Sequence, residues 1–129
     1  MKEEVNHEVF LAVSPEHLYT AWLDSNIHTA MTGGEADCGD QIGDEFSAWD
    51  GYISGKNLEL VQNEKIVQTW RTVEFLENDE DSLLTLLFEK AEGGTKLVLI
   101  HKNIPEGQTQ YDQGWVDNYF EPMKLYFDS

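Results

Sequence analysis

Few side chains in this 129-residue sequence are of a type and spacing that could do specific chemistry. His7, His17, His28 and His101 are scattered, with no H-E-x-x-H pattern and no paired cysteines to complete a zinc site. Cys38 stands alone between Asp37 and Asp40, whose charges disfavour a thiolate nucleophile. There is no G-x-S-x-G turn to present a serine. The loop Asp37–Asp44 is acidic and carries glycines, yet lacks the alternating ligand positions of a calcium loop. Asp117 and Glu121 lie one helical turn apart, on the side away from the aromatic residues of their segment. The pattern implies no catalytic residue, no metal and no cofactor.

Two polar residues call for a closer look. Arg71, the sole arginine, alternates with Val67, Val73 and Phe75, which puts it on their face of a strand. It reads either as half of a cross-strand ion pair or as a donor fork for an anionic ligand or a partner's carboxylate. His101 falls near a strand end, on the side of Leu97 and Leu99. It reads as a hydrogen-bonded edge histidine or as a polar group at a cavity mouth.

The elements that position these residues follow from periodicity. Val5, His7, Val9, Leu11 and Val13 occupy every second position of a half-buried strand. Ser14-Pro15-Glu16 is a helix start, and Leu18, Ala21 and Trp22 recur at helical spacing. A second short helix over 26–31 ends at Gly33-Gly34. Strands then follow: Phe46–Trp49 and Tyr52–Ser54 across an Asp50-Gly51 turn, Asn57–Val61 separate from or continuous with the latter, Lys65–Phe75, Ser82–Lys90 and Thr95–Lys102. Leu84, Leu86 and Phe88 give one apolar face, with Leu83 and Leu87 suggesting partial cover on the other. A final helix runs from Thr109 to Phe127, its buried stripe formed by Tyr111, Trp115, Tyr119, Met123 and Tyr126, with a kink expected at Pro122.

This order predicts one α+β domain over residues 1–129 with a helix-grip fold. A curved antiparallel sheet wraps around a long C-terminal helix, and two short helices follow the first strand. Such a grip can leave an apolar cavity between helix and sheet. Its candidate lining is Phe46, Trp70, His101, Trp115, Tyr119 and Met123, with Arg71 as the candidate anion or partner contact.

Composition bounds the partners. The net charge is −17, from 25 acids against 8 bases, and neither half of the chain gathers its cations into a basic face. Nucleic acid and anionic membranes, which need such a face, are therefore not expected partners. The start of the chain has no apolar secretory core, and no apolar run reaches the ~18 residues of a membrane span. The expected location is the cytoplasm.

From Leu18 to Phe127 the sequence resembles the C-terminal domain of the heat-shock protein 90 ATPase activator family, within the START-related, birch-pollen-allergen-like superfamily. The resemblance rests on an ordered set: Leu18-Tyr19, Thr32-Gly33, Gly43-Asp44-Glu45-Phe46, Asp50-Gly51, Ser54-Gly55, Leu60-Val61, Ile66-Val67, Trp70-Arg71, Gly94-Thr95, Ile104-Pro105, Gly114-Trp115 and Tyr119-Phe120-Glu121. It implies the helix-grip fold and a non-enzymatic binding role, with a heat-shock protein 90 homologue as partner. The superfamily also holds carriers of small hydrophobic ligands, which is the alternative, and cyclases and hydrolases, which are a second alternative. The length leaves no room for the activators' separate N-terminal domain, so full co-chaperone activity is not expected of this chain alone.

Overall fold

A computed structural model describes residues 2–128. The chain opens with strand β1 (Glu3–Leu11), whose alternation buries Val5, Val9 and Leu11. Helix α1 (Pro15–Leu23) begins where Ser14 Oγ accepts the His17 N–H, with proline in its first turn, where a missing N–H costs nothing. Helix α2 (Ser25–Thr32) is capped by Asp24 and ends at Gly33, whose φ of 89° is the left-handed closure that glycine adopts without strain.

Five strands follow: β2 (Glu45–Ala48), β3 (Ile53–Val61), β4 (Lys65–Thr72), β5 (Ser82–Ala91) and β6 (Gly94–Ile104). All six pair antiparallel in the order β1-β6-β5-β4-β3-β2. The two helices and the loop after them thus carry the chain from one sheet edge to the other. Asp50 and Gly51, with φ of 59° and 90°, turn β2 into β3, and Tyr52 N–H closes the turn on Trp49 O at 3.1 Å. Gly55 is required by a close approach: a Cβ there would lie 1.9 Å from Thr69 O and 2.6 Å from the Phe46 ring.

The last segment is one continuous helix in three parts: α3 (Gln110–Trp115), a wider π-type turn over Val116–Phe120, and α4 (Glu121–Phe127). Pro122 does not produce the simple kink expected from sequence. Glu121 N–H reaches back five residues to Val116 O, and Pro122 sits in the first turn of α4. The widened turn relieves the helix of a proline in an ordinary i→i−4 ladder. The buried stripe holds for Tyr111, Trp115, Tyr119 and Met123 but not for Tyr126, which is 40% exposed.

Between helix and sheet the core is filled. Ile66, Leu84, Leu86, Leu97 and Leu99 from the sheet meet Leu18, Met31 and Met123 from the helices, all essentially without exposure. Each such side chain contributes roughly 1.5–3 kcal/mol by leaving water. The sheet's outer face is only half covered, with Val67, Leu87, Val98 and Ile100 partly buried and Leu83 more exposed. These features make the fold an α+β helix grip.

Strand β4 ends at Thr72, three residues short of the sequence expectation. Thr72 takes the chain into a turn: its Oγ1 accepts the Glu74 N–H and its carbonyl accepts the Phe75 N–H. Phe75 is thereby carried under the sheet to the rings of Trp70 and Tyr111, while Val73 is left exposed. Arg71 points outward on β4, opposite Trp70, and its guanidinium stands 5.4 Å from the centre of the Phe75 ring.

Candidate functional site

Alternation along β4 turns Trp70 inward, and alternation along β6 does the same for His101. Tyr111, Trp115 and Tyr119, four residues apart, descend one side of the C-terminal helix toward them. The rings interlock: Trp70 lies 5.5 Å from Trp115 and 5.1 Å from Tyr111, and Trp115 lies 4.8 Å from Tyr119. The β2–β3 hairpin adds Trp49, Tyr52 and Ile53 from across the gap. A cleft of about 440 Å³ remains between the hairpin and the helix, rimmed on the helix side by Gln110, Gly114 and Asn118.

Among these aromatics, Trp115 and the three tyrosines spend their polar ends on the protein. Trp115 Nε1–H donates to His101 Nδ1 at 3.1 Å. An indole nitrogen only donates, so Nδ1 must be the bare nitrogen of His101 and Nε2 carries the proton. Nε2–H then donates to Ser82 Oγ at 2.8 Å, and the Ser82 hydroxyl donates in turn to Trp70 O. Protonating this imidazole would oppose two donors in a dry site, and burial holds its pKa down to about 3.

A second chain of this kind lies beside it. His28 Nδ1–H donates to Trp22 O at 2.8 Å, leaving Nε2 to accept the Tyr119 hydroxyl at 3.1 Å. Burial lowers the His28 pKa and raises that of Tyr119, so both stay neutral. The Tyr111 hydroxyl lies 2.7 Å from Thr72 Oγ1 and donates to Gln108 at 2.8 Å. The Tyr52 hydroxyl donates to the Glu74 carboxylate, and burial followed by that bond raises its pKa. What the cleft presents is therefore mostly ring carbon.

Another depression, of about 610 Å³, lies between α1 and the loop around Asp40. Thr20, Asp24, Asp40, Gln41 and Gln62 make its lining largely polar, and it remains a surface groove.

The model of the "Activator of Hsp90 ATPase homolog 1-like protein" family matches residues 12–128, nearly the whole chain. The chain belongs to this family. A human activator of 90 kDa heat shock protein ATPase (homolog 1) is 33% identical over 121 residues, which is 93% of this chain and 35% of the human protein. The crystal structure of an HSP90 activator from Plasmodium falciparum superposes with a TM-score of 0.84 at 30% identity, covering 99% of this chain and 96% of that one. The Aha1 dimer from Colwellia psychrerythraea shares the fold at 16% identity, with a TM-score of 0.78 over 98% and 94% of the two chains. The chain spans about a third or less of the length of the curated relatives it matches.

Within this activator-type domain the residues proposed from sequence part company. Trp70, Trp115 and Tyr119 meet in the cleft. His101 does not stand at a cavity mouth or a sheet edge; β6 is an inner strand, and the imidazole lies wholly buried behind Trp115. Met123 is packed in the core, and Phe46 lies over Gly55, neither lining the cleft. Arg71 spends its fork on its own chain, with Nη1 on Asp81 Oδ1 at 2.6 Å and Asp79 O at 3.2 Å and Nη2 on Leu76 O at 2.9 Å. That occupancy leaves a tether for the loop after β4 in place of an open anion site.

Sequence reasoning left out Trp49, Tyr52 and Tyr111 as lining residues. The Asp50-Gly51 turn was the available signal for the first two, since it must fold its flanking aromatics back onto something. Cys38 is not a nucleophile at neutral pH: burial, then Asp37, pushes its thiol up to about 11.

Proposed function

We propose that this domain is a non-enzymatic binding module of the activator type that docks on a heat-shock protein 90 homologue in the cytoplasm. The observation that carries the reading is the 33% identity to the human activator, maintained over 93% of this chain. The match to the Plasmodium falciparum activator, close to full length on both sides, supports treating residues 1–129 as one such unit. The test is direct: immobilised protein is challenged with a purified heat-shock protein 90 homologue and with cytosolic extract. Saturable retention of the chaperone is expected, and no retention at low salt contradicts the reading.

A second reading is favoured by the cleft itself. An opening of about 440 Å³ lined by aromatic carbon, its tyrosine hydroxyls and the Trp115 indole already satisfied, suits a small hydrophobic ligand. Titration with the neutral dye Nile red should quench tryptophan fluorescence saturably. Trp115→Ala should weaken that binding at least several-fold, and identical binding by the variant overturns this reading.

A further inference from the structure

We propose that the cleft admits a neutral, planar apolar molecule carrying one hydrogen-bond acceptor, and that Trp49 turns its indole toward it and donates the indole N–H to that acceptor. This deepens, and rests on, the reading of the cleft as a small-ligand site.

Two local costs converge on Trp49. Its φ of 52° is left-handed, an outlying conformation for a bulky aromatic, and it begins a run of three such residues with Asp50 and Gly51. Its Nε1 is buried without any hydrogen-bond partner among the described residues, the only side-chain nitrogen or oxygen there in that state. An unpaired buried donor is expensive and rare in a native structure. By contrast, Trp115 donates to His101 and Trp22 Nε1 lies 3.4 Å from Gln68 Oε1. Strain of this kind persists where the surroundings impose it, and it gathers at clamps and sites that switch.

The surroundings do impose it. The indole lies so close to Gly34 that a Cβ there would sit 2.3 Å from Trp49 Cε3. The hairpin tip is pinned to Glu35 by two bonds: Asp50 N–H donates to Glu35 O and the Asp50 carboxylate accepts the Glu35 N–H, each at 3.0 Å. The backbone is therefore fixed, and the part free to turn is the indole. Trp49 is half-buried, whereas Trp70, Trp115 and Tyr119, which line the same cleft, are each 3% exposed. Turning the indole frees its N–H toward the cleft that those rings line.

The same residues select the ligand's chemistry. The interlocked rings favour a flat apolar body. No cationic side chain lines the cleft, Glu74 sits against Tyr52, and the chain carries a net charge of −17, so an anion is disfavoured. Gln110 and Asn118 are exposed at the rim, and Trp49 brings the buried donor that lacks a partner.

The test uses two probes of one shape, 2-acetylnaphthalene and 2-isopropenylnaphthalene, the second with a methylene group in place of the carbonyl oxygen. Each is titrated into wild type and Trp49→Phe. The variant should lose about tenfold in affinity for the ketone and less than about twofold for the hydrocarbon, the size of one neutral hydrogen bond. In the wild-type proton–nitrogen spectrum, one indole N–H resonance should move downfield with the ketone and not with the hydrocarbon. Should Trp49→Phe fail to fold, this wild-type shift decides alone. Equal losses for both probes, or no selective shift, overturn the role of Trp49 while leaving the cleft a ligand site. Failure of both probes to bind wild type overturns the proposal together with the reading beneath it.

Discussion

His101 joins sheet to helix only in its neutral form, because Trp115 donates to one nitrogen and Ser82 accepts from the other. Its pKa near 3 in the fold lies below the ordinary 6.5, so the unfolded chain takes up the proton first. The stabilisation it supplies is present above pH 6.5 and is lost as pH falls toward 3, by about 1.4 kcal/mol per unit. Acidification also neutralises carboxylates and relieves self-repulsion, so the informative quantity is the difference between wild type and His101→Leu. In urea unfolding that difference should be about 2 kcal/mol at pH 7.5, for a Trp115 N–H left unpaired and a Ser82 oxygen left with one bond fewer, and should close by about pH 5. A gap independent of pH contradicts the neutral relay. Arg71 makes a separate prediction. Its bonds to Asp81, Leu76 O and Asp79 O hold the acidic loop, and its guanidinium stands over the Phe75 ring at 5.4 Å. Arg71→Ala should cost no more than about 1 kcal/mol, since the pair is half exposed. It should nonetheless speed cleavage by a glutamate-specific protease at Glu77 and Glu80 several-fold.

The C-terminal helix shows how an element absorbs a difficult residue. An interior proline costs about 3 kcal/mol, and replacing it should recover that amount. Here the widened turn ahead of Pro122 has already removed the conflict. Pro122→Ala should therefore change stability by less than about 1 kcal/mol in urea unfolding, and a gain near 3 kcal/mol contradicts this account. Much at this scale was legible in the sequence: the Ser14-Pro15 helix start, the Gly33 stop, the Asp50-Gly51 turn and the alternation of β1 and β5 are local signals with local causes. What escaped depends on which backbone groups pair locally and on one contact between distant segments. The π-type turn looks in sequence like any proline kink. The end of β4 depends on Thr72 capturing two downstream N–H groups. Of the cleft, the Trp70, Trp115 and Tyr119 wall was readable from period. For Trp49 the adjacent Asp50-Gly51 turn was a signal, but its packing is set by Gly34, fifteen residues upstream in the loop after α2.

For the whole molecule, the fold places a dry core and an aromatic cleft inside a strongly negative surface. A protein partner that meets this surface should present lysine and arginine, and association should weaken as salt screens the field. The proposed docking of this activator-type domain on a heat-shock protein 90 homologue is tested most directly by titrating the purified chaperone into the full chain and following heat of binding at two ionic strengths. We expect one saturable complex whose affinity falls at least about tenfold between 50 and 300 mM salt, by the screening of exposed charges. Absence of a complex at 50 mM salt would contradict the account.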